Sequence, residues 1–254
     1  MGYPMMILAL SLGLVLGLLL LADRWLHRHL QGLMLLITND QEIALWLYAL
    51  VLLPGVALHE LSHALVATLV GVKIGRIGIF PRRMGKRIQL GFVPVAETDF
   101  LRASLIGAAP FFIGGITVIL LGRWAFQTPQ LVDALMRNDW LAALQGLRAA
   151  LTTRDALLWA YVIFTISNTL MPSRSDVHAW PLLGGVTVLL LGLLMLLGLQ
   201  EALLNGLGAF LTHSLRWLIL LSGSTLLADL PFFTLIWLLE KLIARLRGVR
   251  LVYQ

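Results

Sequence analysis

Cysteine is absent from the 254 residues. That excludes disulfides and thiolate metal ligands, and it leaves the redox compartment unread. Charge is scarce too: 13% of residues carry it, against about 25% in an average soluble domain. The chain is instead 59% hydrophobic, with a mean hydropathy of +0.89. Such a composition describes an integral membrane protein with little length left for a soluble domain. The net charge of +6 therefore reads as topology and headgroup contact, and no nucleic-acid partner is expected.

A bilayer core needs about 20 apolar residues per helix. Scanned at that length, the chain suggests an all-α polytopic fold of about six transmembrane helices, over 4–22, 41–70, 103–121, 156–171, 182–199 and 216–243. The first lacks a basic leader and a small-residue cleavage site, so it reads as a retained span. Thr98 or Asp99 is expected to cap the third, and Pro172 to stop the fourth. Residues 129–151 have the spacing of a helix lying on the membrane surface. Residues 201–214 fit either a surface helix or the start of a long last span. A single domain, 1–254, is expected, with a core over 41–180 and C-terminal spans over 181–245.

Within the second span lies His59-Glu60-Leu61-Ser62-His63, and no other charge interrupts residues 43–70. Two histidines four apart share one helix face, one turn apart, where they can hold one metal ion. The adjacent glutamate can act on a water that the metal activates. Chance would produce this pentad in on the order of 1% of chains this long. Ionisable groups at membrane depth are costly, which makes them functional candidates by default.

Orientation follows from the basic residues. With six spans, the loop after the pentad helix (Lys73, Arg76, Arg82, Arg83, Lys86, Arg87, Arg102) shares a side with Arg174 and with Lys241, Arg245, Arg247 and Arg250. The positive-inside rule then places both termini in the cytoplasm, as in a multi-pass protein of the cell (inner) membrane. A catalytic metal needs a third protein ligand beside an open position. Asp176, on irregular chain beyond Pro172 and on the same membrane face, is the candidate.

The pentad, joined to Asn168 and Asp176 eight residues apart, resembles the site-2 protease family of intramembrane zinc metalloproteases. Ala108-Ala109-Pro110 is similar to that family's small-residue-plus-proline element. Residues 72–95, two β-prone runs around a basic turn, stand where the family places a small membrane-associated β-hairpin after the second helix. The resemblance covers about 41–180. The chain departs from the family in having its proline one position late, at Pro172, and Val177 where glycine is usual. It is thus similar to a divergent, minimal member.

The resemblance implies one Zn²⁺ ion on His59, His63 and Asp176, Glu60 as general base and proton carrier, and a transmembrane protein as substrate within the lipid bilayer. Two readings fit Asn168: a hydrogen-bond donor to the substrate, or a helix-end cap. Two also fit the basic loop. It offers a strand edge, from residues 74–80 and 88–95 with Ile77, Gly78, Ile79 and Phe80 as the substrate-binding residues, that holds an unwound substrate by β-addition, or it only anchors on headgroups. Asp229 is either a gate or part of a kink at Pro231. His27, His29 and His213 read as interfacial, His178 as a solvated loop residue, and Gly107, Gly114 and Gly115 as packing positions. Against the protease stand a catalytically silent client-binding relative, which has no need of Glu60, and a metal transporter, which needs several intramembrane stations.

Overall fold

Asn39 and Asp40 make the first corner of the chain. In the computed structural model, which describes residues 2–84, 87–171, 173 and 175–249, helix α1 (Gly2–Thr38) ends as Asn39 turns left-handed at φ 54°. The Asp40 carboxylate then accepts the backbone N–H groups of Glu42 and Ile43 and starts α2 (Gln41–Leu69). Asp99 does the same for α3 (Phe100–Phe126), accepting from Leu101 and Arg102. Its carboxyl is held below its ordinary value by those bonds, first by the one from Arg102. Capping oxygens suit both positions because a helix begins with N–H groups that have no partner of their own.

The elements that follow are α4 (Thr128–Met136), α5 (Trp140–Leu151), α6 (Ala156–Ser167), α7 (Trp180–Leu196) and α8 (Gln200–Arg247). Among the described residues, four helices are long and apolar enough to cross a membrane: Leu10–Thr38, Gln41–Leu69, Phe100–Phe126 and Gly206–Arg247. A fifth span results if α5 and α6, bent by 97° at their junction, count as one. The fold is therefore an all-α membrane protein with fewer crossings than the six expected. The fourth expected span stops at Ser167, and the Pro172 expected to end it lies outside the described residues. The fifth shortens to the 17 residues of α7, none of them buried. Residues 201–214 belong to the long last helix.

α1 also runs 16 residues beyond its expected end at 22. Asp23, Arg24, His27, Arg28 and His29 look like a membrane boundary in sequence, yet partners on neighbouring helices absorb several of them. Tyr48 of α2 bonds His27, and Glu240 of α8 bonds His29. Below them Leu26, Leu30 and Leu33 pack with Leu52, Phe164 and Ile236 in the main core. A second core joins Val118, Ile163, Ile166 and Leu221. α6 crosses α2 at Gly55, where any side chain would strike the Thr165 backbone.

α1 and α8 run parallel: Trp25 meets Phe233, His29 meets Glu240, and the Arg247 guanidinium donates to the Ile37 carbonyl at 2.8 Å. The end of α8 thus lies beside the α1–α2 corner, at the opposite end of α2 from Val70.

Between α2 and α3 the chain folds back along α2. Phe80 reaches Trp46, 24 residues and about 36 Å from Val70 along the helix, and on return Gly91 passes Val56 and Glu60. Among the described residues, ladder pairing is limited to β1 (Arg82–Met84) with β2 (Arg87–Gln89), plus isolated bridges from Ile74 to Val95 and Gly78 to Phe92. This falls short of continuous strands over 74–80 and 88–95. The strand pair starts two residues after Phe80, which meets Trp46 in the N-terminal part of α2, and Arg247 lies beside the α1–α2 corner. Lys73 and Arg76 instead follow Val70 directly.

Candidate metal centre

A neutral imidazole binds a metal through its bare nitrogen, and the partner of its N–H fixes which nitrogen that is. In α2 each Nδ1 donates to a backbone carbonyl: His59 to Thr169 at 2.7 Å and His63 to Ile106 at 2.8 Å. Both acceptors are carbonyls that their own helices cannot use. Ile106 would bond the N–H four residues on, which is Pro110 and has none. Thr169 lies past the end of α6, where the matching donor, the Ser173 N–H, goes to Asp176 Oδ2 at 2.6 Å instead.

With their hydrogens on Nδ1, the two Nε2 atoms are bare acceptors that face each other at 3.2 Å. Asp176 completes the set, with Oδ1 3.4 Å from His63 Nε2 and Oδ2 3.8 Å from His59 Nε2. All three groups offer a ligand atom within 4.8 Å of one another, the one such cluster among the described residues. Three converging acceptors repel unless a cation lies between them. Ligands about 2.0–2.2 Å from a tetrahedral ion sit about 3.3–3.5 Å apart, close to the separations found, so the residues fit a metal ion. Burial raises the Asp176 carboxyl, but its contacts with His59, Ser173 and His63 more than offset this and hold it below its ordinary value. Gly107 of α3 lets this ligand in, since a Cβ there would collide with the Asp176 carbonyl. Of the expected packing glycines, Gly114 and Gly115 meet Leu170 and Trp217 in the same way.

Comparison with family models, curated proteins and solved structures finds no match.

Glu60 is 8% exposed and faces a cavity of about 1220 Å³ that the two histidines and Asp176 also line. The returning limb, Gln89–Val93 and Val95–Thr98, lines the same cavity. The fit is close: a Cβ on Gly91 would lie 2.7 Å from Glu60 Cγ and Oε1. Ile77, Gly78, Ile79 and Phe80 do not line this cavity; Gly78 instead pairs with Phe92 through both backbone bonds. Asn168 lies at the cavity wall as the C-cap of α6. Both its amide hydrogens are committed, to the Phe164 carbonyl and to Asp229 Oδ1, each at 2.8 Å. The donor reading therefore lacks a free hydrogen here, while the cap reading describes its place. Asp229, 1% exposed, pairs across helices with Asn168 and not locally. His178 is exposed at the cavity rim, bonded to the Ser175 carbonyl.

Sequence reasoning missed three contributors: the Ile106 and Thr169 carbonyls, Gly91, and the group Asp23, His27 and Tyr48 at the far end of the cavity. Pro110 was the available signal for the first. Asp23 and His27, four apart, were the signal for the last, hidden because the first span was ended at 22.

Proposed function

We propose that the chain is a zinc-dependent intramembrane endopeptidase of the site-2 protease kind, which hydrolyses peptide bonds in or near transmembrane segments of membrane proteins. The observation that carries this reading is the convergence of His59 Nε2, His63 Nε2 and an Asp176 oxygen, with Glu60 beside them on a cavity large enough for a peptide. Two nitrogens and one carboxylate with an open fourth position suit catalytic zinc.

His59, His63 and Asp176 would hold the ion, which when bound lowers the pKa of a water to about 7 and polarises the scissile carbonyl. Glu60 takes the proton from the attacking water and returns it to the leaving amine. The Thr169 and Ile106 carbonyls keep both imidazoles in the ligating tautomer. A substrate segment must unwind to expose its carbonyl, and its freed N–H and C=O groups need partners in the apolar interior. The returning limb, on the cavity side of Gly91 and Val93, is the edge offered for that pairing. Of the two stretches expected to supply the edge, 88–95 lines the cavity and 77–80 does not.

The transporter reading has no support from a second cluster of metal-ligating groups among the described residues. The test is a comparison of wild type with Glu60→Gln, purified and supplied with a transmembrane substrate. Zinc content should be equal, and cleavage should fall by at least about a hundredfold, the usual size of a general-base contribution. Equal cleavage by both proteins would end the protease assignment. No cleavage by either, across several substrates, would favour the silent relative.

A further inference from the structure

The cavity extends well past the metal ligands, to Asp23, His27 and Tyr48. Tyr48 precedes His59 by 11 residues on α2, about 16 Å along its axis. His27 Nε2 lies 3.1 Å from Asp23 Oδ1, and the Tyr48 hydroxyl lies 2.7 Å from His27 Nδ1. With the ring hydrogen on Nε2 facing the Asp23 carboxylate, Nδ1 is left to accept from the Tyr48 hydroxyl.

Every donor in this chain of bonds is thereby used. What remains is accepting capacity on the Asp23 carboxylate, whose side chain is 23% exposed on the cavity it lines. The far end of the cavity thus offers a carboxylate acceptor set among apolar helices, where such a charge is costly. A ligand that repays that cost brings a positive charge and N–H donors.

We propose that Asp23, oriented by His27 and Tyr48, is a subsite for a cationic side chain, Lys or Arg, carried by the substrate at a fixed offset from the cleaved bond. The proposal rests on the proteolytic reading of the metal centre and adds what the substrate must carry. An extended segment covers about 16 Å in about five residues, at about 3.3 Å each. A helical one needs about eleven. The limb beside Glu60 favours the extended offset.

The test uses the full chain, loaded with zinc, and transmembrane peptides in which one lysine replaces leucine at each position from two to twelve residues from the cut. Binding of the same peptides to Glu60→Gln is measured in parallel. Lysine at the preferred offset should lower KM, and tighten binding, by about tenfold, the size of one charge-assisted hydrogen bond. Asp23→Asn should erase the difference between lysine and leucine while zinc content holds. Asp23→Lys should reverse it in favour of a glutamate-bearing peptide. KM and binding that ignore lysine at every position would overturn the subsite, as would an Asp23→Asn effect equal for all peptides. If wild type cleaves nothing, the proteolytic reading fails on its own, and the binding series still decides whether the lysine preference exists.

Discussion

Two backbone carbonyls decide which nitrogen each histidine turns toward Asp176 and the candidate metal site. Ile106 can serve His63 only because residue 110 has no N–H to claim it. Pro110→Ala should restore the helical bond within α3 and set it in competition with the imidazole. The expected outcome is a tighter α3 and zinc binding weaker by about 10- to 100-fold, the usual cost of losing such an orienting partner. Zinc titration of the two proteins by competition with a chelator checks this; unchanged affinity would show that the Ile106 carbonyl does not orient the ligand. Pro110 was noticed in the sequence as part of a small-residue element, but its effect is on an atom four residues earlier and on a side chain of another helix. No local pattern announces a contact of that kind.

At the scale of elements, α8 reaches the metal centre through one bond. Asp229 accepts from Asn168, the next residue supplies the carbonyl that holds His59, and the remaining Asp229 oxygen is buried with no partner. Asp229→Leu would leave an Asn168 hydrogen unsatisfied in the core, at a cost of about 1–3 kcal/mol. It should lower thermal stability and zinc affinity together, whereas Asp229→Asn, which keeps an accepting oxygen, should recover most of both. Equal loss in the two variants, followed by melting temperature and zinc content, would argue that the charge and not the hydrogen bond matters. The pentad, Asp176 and the Asp99 cap were legible because each is a short-range pattern: a four-residue spacing, a downstream acid, an oxygen before an apolar run. The lengths of α1 and α6 were not. Apolar windows close α1 at polar residues that α2 and α8 in fact solvate, and they carry α6 on through residues that turn away after Ser167 to reach the metal.

For the whole molecule, the consequence lies in the distribution of charge across the bilayer. A count that assigns the entire loop 71–99 to one end of α2 does not allow for a chain that doubles back as far as Trp46. The lack of native cysteine makes the side of each loop residue easy to measure. Single cysteines at exposed Arg82 and Arg245 should react with an impermeant maleimide from one side of a sealed vesicle, and one at Arg76 from the other. Labelling of all three from the same side would restore the sequence-based topology. The doubling back was invisible beforehand because it is held by isolated bridges and aromatic contact, not by the alternating pattern of a long strand.

The early end of α6 has an implication for engineering this protein. Continuing the helix through Ser173 would satisfy more backbone and make the domain sturdier, yet the amide of Ser173 would then recapture the oxygen on which His59 leans and desert the aspartate it now holds in place. Robustness and the arrangement of the candidate metal ligands compete for the same two atoms, so substitutions that win heat resistance in this segment should do so at the expense of metal binding.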